Sequence, residues 1–166
     1  SDGITTIADG AFANCTSLET VYIPSSVTDM GSKVFENNPA LSDDGGTGIG
    51  IATGATNAEV NSWPMDWNYR DYPVTKNAAF SEEHLMLYSV SSGAAGIAFY
   101  FGKESNVTVP STLGGYTVTQ IGTVFAGHTN LVSITLSEGV DIIDTRTFTG
   151  CPSRSTVGPH VNHTYI

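Results

Sequence analysis

Residues 4–41 read ITTIADGAFANCTSL, ETVYIPSS and VTDMGSKVFENNPAL, and the third part restates the first. Apolar residues recur in this stretch at a constant spacing of 23 residues, in the pairs Ile4 and Val27, Ile7 and Met30, Phe12 and Phe35, and Leu18 and Leu41. A fixed period of this length indicates a solenoid, because each repeat can bury its apolar face only by stacking on its neighbours.

Each repeat contains two kinds of local pattern. The spacing of Ile7, Phe12 and Cys15 predicts one or two turns of α-helix or 3-10 helix with one buried face. The run from Leu18 to Ile23 then alternates apolar and polar residues, as a strand does when one of its faces is buried. Pro24 ends this strand, because proline has no N–H to donate to a sheet.

The same pattern returns after residue 105. Val107-Thr-Val109-Pro110 matches the end of the first strand, and residues 131–136 repeat its alternation in full. Phe125 and Phe148 are again 23 residues apart. The sequence therefore predicts two repeat blocks, at residues 1–42 and within residues 86–166.

The stretch between the blocks, residues 43–85, supports two interpretations. In one it is a degenerate repeat, with a displaced strand at Ile49-x-Ile51 and tryptophans in the apolar positions; in the other it is an irregular insert. Four aromatic residues crowd together here, and we expect them either to fill the core or to stack on a sugar or a protein partner: Trp63, Trp67, Tyr69 and Tyr72.

Two further elements are predicted ahead of the second block. Residues 76–84 suit a short helix, and residues 85–90 and 97–101 suit two strands joined by a glycine-containing loop. This hairpin leads directly into the second block, so we expect it to cover the end of that block.

Composition excludes two classes of partner. The chain has 6 basic and 16 acidic residues among 166, for a formal charge of −10. Nucleic acid and anionic membrane surfaces both require clustered Lys and Arg, so neither is expected to bind. The longest apolar run, residues 94–101, falls far short of the roughly 20 residues of a spanning helix, so no membrane insertion is expected in this segment.

Catalytic and metal-binding patterns are weak. We expect no enzymatic activity, no cofactor and no metal, since Asp43-Asp44 and His160-x-x-His163 lack the further ligands or the helix that a metal site requires. His128 occupies a structural position and has no evident catalytic partner. Cys15 and Cys151 fall in the same position of distant repeats, which predicts two buried free thiols rather than a disulfide. Sequons at Asn14, Asn106 and Asn162 match the glycosylation pattern.

The spacing Ile4-x-x-Ile7-x-x-x-Ala11-Phe12-x-x-Cys15-x-x-Leu18-x-x-Val21-x-Ile23-Pro24 resembles the BspA-like leucine-rich repeat. The phrase from Val107 to Gly122 resembles the usual entry into a run of such repeats. The resemblance covers residues 4–41 and roughly 86–152. It implies a curved leucine-rich-repeat solenoid, in which short strands alternate with short helical or 3-10 turns, here with an irregular insert and a lead-in hairpin.

The resemblance also implies a secreted or surface-anchored protein that binds host matrix proteins or other cells, with its outward strand residues as the binding surface. In this chain those residues are Glu19, Thr20, Tyr22, Thr108, Val132, Ser133 and Thr135. The expected function is therefore non-enzymatic adhesion or protein binding at the cell surface. A carbohydrate-binding module built on the aromatic stretch and a structural stalk for another domain are the alternatives. The first residues fall within a repeat, which favours a segment of a longer chain whose signal peptide lies elsewhere.

Overall fold

The computed structural model describes residues 3–41, 50–68, 72, 74–151 and 156–157. The chain divides into two compact units, residues 1–79 and 80–166. The elements of the first unit are β1 (Thr6–Ile7), β2 (Thr20–Ile23), β3 (Asp29–Met30), a 3-10 helix (Pro39–Leu41), β4 (Gly50–Thr53), α1 (Asn57–Ser62) and β5 (Val74–Thr75).

The first unit winds as a parallel β-solenoid. Strand β1 pairs in parallel with β3, and β2, β4 and β5 form a second parallel sheet in that order. We call each turn of the coil a rung. The first two rungs each contribute one strand to each of these two sheets. The first rung is residues 4–26, and the second begins at Val27. The third rung carries α1 in its first half and β5 in its second.

After β4 has completed the second rung, the described residues between 54 and 79 pack as a third rung of this solenoid. One apolar cluster joins the second rung to the third, and it contains Val34, Phe35, Leu41, Ile51, Val60, Trp63, Trp67 and Tyr72. Strand β4 extends the sheet that β2 begins, and Ile51 faces Val21 across it. Among the described residues of this stretch, β4, α1 and β5 therefore belong to the solenoid of the first unit.

A column of aromatic rings runs through the first unit. The rings of Phe12 and Phe35 stack with their centroids 5.5 Å apart, and the ring of Trp67 meets Phe35 edge-on at 6.1 Å. Trp67 thus takes the position that phenylalanine holds in the two preceding rungs. Offset stacking and edge-to-face contact are the two favourable arrangements of aromatic pairs. The rings at this repeated position therefore stabilise the unit and align each rung with the next.

The second unit contains two sheets. Its elements are β6 (Ala79–Ser81, which spans the unit boundary), β7 (Met86–Ser91), β8 (Ala94–Tyr100), β9 (Asn106–Thr108), β10 (Thr112–Leu113), β11 (Tyr116–Ile121), β12 (Ser133–Thr135), β13 (Ile142–Ile143) and β14 (Thr156–Val157). Strands β8, β11 and β13 pair in parallel, as do β9, β12 and β14. The inward residues of the second sheet are Val107 and Ile134, which face each other and are buried.

The lead-in hairpin is confirmed. Strand β7 pairs antiparallel with β8, and β8 pairs in parallel with β11, so the hairpin ends the parallel sheet of this unit. It also supplies the first ring of a second aromatic column: Tyr100 lies 5.6 Å from Phe125, which stacks on Phe148 at 6.1 Å. The first rung of the second unit is consequently covered, with Val118 and Phe125 fully buried.

The described residues contain less helix than the sequence pattern predicts. In the described part of the chain it is limited to α1 and the 3-10 helix. The predicted helix at residues 76–84 is wrong, because this stretch holds the strand β6 and a turn instead. Around Phe12 the chain makes hydrogen-bonded turns, with Ala11 N–H donating to Ala8 and Ala13 N–H to Gly10. The predicted repeat solenoid itself is confirmed.

Candidate functional site

The outward residues of β9 and β12, together with Val132 just ahead of β12, form an open polar surface on the second unit, which we call the outer strand face. It comprises Asn106, Thr108, Val132, Ser133 and Thr135. All are exposed except Ser133, which is half-buried, and the Val132 side chain is 56% exposed. Residues facing each other on neighbouring strands lie about 4.8 Å apart, so Thr108 and Thr135, which are register partners, present two adjacent hydroxyl groups.

Hydrogen bonds fix one end of this face. The Ser133 hydroxyl donates to the side-chain carbonyl of Asn106 at 2.6 Å, and the Asn106 amide donates to the Ser105 hydroxyl at 3.3 Å. The backbone N–H groups of Val132 and Ser133 both donate to the Ser105 carbonyl. The chain entering β12 is therefore held against β9. The resulting surface offers neutral donors and acceptors beside one exposed apolar side chain, which suits binding of a polypeptide more than acid–base chemistry.

The corresponding surface of the first unit is closed by Tyr22. Its side chain lies across β4, whose small residues leave room for it: Ala52, its register partner, is fully buried. The Tyr22 hydroxyl reaches the Ala78 carbonyl at 3.4 Å. Tyr22 is therefore half-buried with its ring over the neighbouring strand, and it does not present the open side chain expected of a binding residue.

The other two predicted binding residues of the first unit differ in their exposure. Glu19 is exposed, whereas Thr20 is half-buried. The Thr20 hydroxyl oxygen is buried without a hydrogen-bond partner in the described part of the chain. Only Glu19 of the three thus presents an open side chain, and the two units differ in how much of this surface they leave accessible.

The predicted aromatic surface is not present in the described residues. Trp63, Trp67 and Tyr72 are each only 5–6% exposed, and the two indole rings pack edge-to-face at 5.0 Å. The Tyr72 hydroxyl accepts a hydrogen bond from the Asn38 backbone N–H at 3.1 Å. These side chains belong to the core of the first unit, so of the two roles expected for them the structure shows core filling and not an exposed stacking surface. Tyr69 lies outside the described residues.

The two cysteines are free thiols, but only one is sheltered. Cys15 is exposed, contrary to the prediction of a buried thiol, whereas Cys151 is half-buried. The Cys151 thiol donates to the Phe125 carbonyl at 3.0 Å. Burial raises the pKa of Cys151, while a hydrogen bond from the His128 backbone N–H opposes the shift. Cys15 is open because its rung has no described neighbour on that side.

His128 has a packing role in the structure. Its ring lies 5.5 Å from that of Tyr100 and 6.1 Å from that of Phe125. Its Nδ1 atom is buried without a hydrogen-bond partner among the described residues. A general base requires hydrogen-bond contact with the proton that it removes, and this nitrogen points away from solvent. The side chain fills the space beside the second aromatic column.

The described residues contain no group of three or more His, Cys, Asp or Glu side chains placed to hold a metal. Asp43, Asp44, His160 and His163 lie outside those residues. The same part of the chain contains no helix with the length and hydropathy needed to cross a bilayer.

Asn106 is the residue of the outer strand face that the sequence considerations missed. It drew attention only as a sequon, although its position one residue before the inward Val107 places it on the same side of the strand as Thr108. The alternation in residues 106–109 was a sufficient signal. Its contact with Ser133 depends on the pairing of β9 with β12, which the local pattern does not specify.

No curated protein and no solved structure matches this chain. The family model described as BspA type leucine rich repeat region matches it in six copies, over residues 1–43 and 96–166. These stretches make up more than half of the chain, and they include the first rung and the outer strand face. Together with the parallel β-solenoid of each unit, the match shows that the chain belongs to the BspA type leucine-rich-repeat family.

Proposed function

We propose that this chain is a non-enzymatic, extracellular binding module that recognises a host matrix or cell-surface protein through the outer strand face. The observation that carries the proposal is the set of open side chains on β9 and β12. Thr108 and Thr135 are exposed on strands whose opposite side is buried core, and Val132 is exposed immediately ahead of β12. A rigid sheet positions such groups without the entropic cost of ordering a loop.

The chemistry of this face favours a protein partner. It combines hydroxyl and amide groups with an apolar side chain, and it contains no Lys or Arg that would bind phosphate. The formal charge of −10 disfavours anionic partners further. The family match supports a repeat protein of the surface-binding type. A glycan partner has less support, because the aromatic residues Trp63, Trp67 and Tyr72 are buried.

Binding to immobilised fibronectin, laminin and collagen and to cultured epithelial cells tests the proposal. We expect saturable binding to at least one of these, and a loss of about tenfold or more in affinity when Thr108 and Thr135 are both replaced by Arg. Thr112→Arg, on the exposed edge strand β10 of the same unit, is the matched control and should bind as the unchanged chain does. Circular dichroism should be the same for all three proteins.

Two outcomes contradict the proposal. One is the absence of saturable binding to every matrix protein and cell type by a protein that is folded, which would favour a spacer role. The other is binding that Thr108→Arg/Thr135→Arg leaves unchanged, which would move the binding surface elsewhere. Extracellular placement is tested separately, by whether protease treatment of intact cells removes the full-length protein.

A further inference from the structure

A groove of about 480 Å³ lies open on the outside of the first unit, and we call it the β1–β3 groove. It is lined by residues 6–9, residues 29–32 and Pro64. Alternation along β3 points the buried Met30 into the core and its exposed neighbour Asp29 outward. The floor of the groove is therefore the outer surface of the two-stranded sheet that β1 and β3 form.

The charged side chains that line this groove are both acidic. Asp9 and Asp29 are exposed, and neither forms an ion pair with a described residue. The Asp9 carboxylate lies at one end of the groove, where its Oδ1 atom accepts the Ser32 N–H at 2.8 Å. Asp29 precedes Ser32 by three residues, so the two acidic groups are carried roughly 10 Å apart along the sheet. This spacing suits two cationic side chains better than one metal ion, which needs six or more oxygen ligands within about 2.6 Å.

Strand β3 also has an open edge at the groove. Strand β1 pairs with one side of it, and the third rung carries α1 in place of a strand, so no described strand covers the other side. The Ile7 carbonyl accepts the Gly31 N–H at 2.7 Å. One period later, no hydrogen bond of the described residues outside the β1–β3 ladder reaches the Met30 carbonyl. Pro64 lines the same groove but has no N–H to donate.

An exposed apolar side chain adjoins the groove. Met65, which follows Pro64 in the chain, is 102% exposed. It stands on a turn that the Trp67 N–H closes by donating to the Pro64 carbonyl at 3.1 Å, and the buried rings of Trp63 and Trp67 hold both ends of this turn. A partner that covers Met65 gains apolar contact without the cost of ordering a loop. Exposed methionines are frequent on surfaces that bind polypeptides.

We propose that the β1–β3 groove is a second binding site of this chain, and that its ligand is an extended, basic segment of a partner protein. Two Lys or Arg side chains at alternate positions of that segment pair with Asp9 and Asp29. Alternate residues of an extended chain point to one side about 6.6 Å apart, and the long basic side chains span the remaining distance. A main-chain N–H of the segment donates to the Met30 carbonyl, and an apolar side chain packs on Met65. The formal charge of −10 favours the approach of such a segment.

Fluorescence anisotropy with the labelled peptide Gly-Arg-Val-Arg-Val-Gly and the full chain tests the proposal. We expect saturable binding that Asp9→Asn/Asp29→Asn weakens by at least about fivefold and Met65→Ala by about threefold. The substituted asparagine keeps a side-chain oxygen for the Ser32 N–H, and Met65 has no buried contacts to lose. Circular dichroism and tryptophan emission should therefore be the same for every variant.

The matched control is Glu138→Gln/Asp141→Asn, which removes two negative charges from exposed positions of the second unit. It should bind the peptide as the unchanged chain does. Equal weakening by the two double variants would mean diffuse attraction by the whole chain and would overturn the proposal. The absence of saturable binding would do so too, as would equal binding of the acidic peptide Gly-Glu-Val-Glu-Val-Gly.

Two measurements distinguish other occupants of the groove. Calorimetric titration with calcium chloride should give no saturable heat. A saturable signal that Asp9→Asn/Asp29→Asn abolishes would place a metal ion in the groove and overturn the proposal. An unchanged peptide affinity in Met65→Ala would also overturn it, because the ligand would then be held by its charges alone and need not be a polypeptide.

Discussion

Phe35 offers the sharpest test of how the first unit is held together. Its side chain is fully buried, stacked on Phe12 on one side and in edge contact with Trp67 on the other. Phe12 has the same residue type in the same repeat position, but it is 37% exposed and has a described ring on one side only. Phe35→Ala and Phe12→Ala therefore make a matched pair that differs chiefly in the number of neighbouring rungs.

The magnitudes follow from burial and cavity formation. Replacing a fully buried phenylalanine by alanine typically costs about 3–5 kcal/mol, because apolar contact is lost and a cavity remains. Phe35 also loses two aromatic pairs, so we expect a value toward the upper end of that range. For Phe12 the lost transfer energy is smaller, solvent fills the space, and one aromatic pair is lost. About 1–2 kcal/mol is therefore expected.

Tryptophan fluorescence during urea unfolding measures both changes. The two tryptophans of the chain, Trp63 and Trp67, both lie in the core of the first unit. Their emission therefore reports on that unit and not on the second. Because a loss of this size can exceed the stability of a small unit, Phe35→Leu serves as a milder variant that keeps most of the apolar volume.

The reasoning is refuted by either of two results. Equal losses in Phe35→Ala and Phe12→Ala would mean that the number of stacked rungs does not set the energy. A loss below about 1 kcal/mol in Phe35→Ala would mean that the core relaxes around the cavity, contrary to the close packing assumed here.

Four further predictions concern single positions. Gly31→Ala should destabilise the first unit by about 2 kcal/mol or more in the same urea assay, because the added Cβ would lie 2.3 Å from the Asp9 backbone nitrogen. Thr56→Ala should cost about 1 kcal/mol at neutral pH, because it removes the cap of α1. Hydrogen bonds from Thr56 lower the pKa of Glu59, so the first unit should lose stability as the pH falls below 4.5, and Glu59→Gln should flatten that dependence. Burial raises the pKa of Cys151 above its ordinary value of 9.0. Iodoacetamide should therefore alkylate the Cys151 thiol slowly at any pH below 9.0, because the thiolate is the reacting form. A rate of Cys151 alkylation that is already high at pH 8 would contradict the raised pKa.

The inward residues of the fold were predictable from the sequence period. Residues one period apart lie against each other in neighbouring rungs, so the spacing that identifies them also accounts for their burial. Val27, Phe35, Leu131 and Ile134 recur at repeat positions and all prove to be core. The hairpin was equally visible, since β7 and β8 each carry their own apolar run. Local pattern was sufficient wherever a residue's neighbours lie within its own rung or one period away.

The outward residues were less predictable because their environment depends on the next rung. Tyr22 alternates correctly to the outer side, yet its ring lies over β4 because Ala52 and Gly54 are small. Trp63 and Trp67 resemble a binding surface in sequence but replace the regular core of the third rung. Cys15 illustrates the converse case, because it takes a core position of the repeat and is nevertheless exposed.

Strand pairing in the two units tolerates unequal lengths of intervening chain. Val21 pairs with Ile51 across 30 residues and Ile51 with Val74 across 23, whereas Val107 pairs with Ile134 across 27. The inward positions keep their alignment throughout, so added residues are accommodated in the connections. Length variation in such a protein is therefore nearly neutral for folding, and new surface loops can be acquired by insertion without redesign of the core.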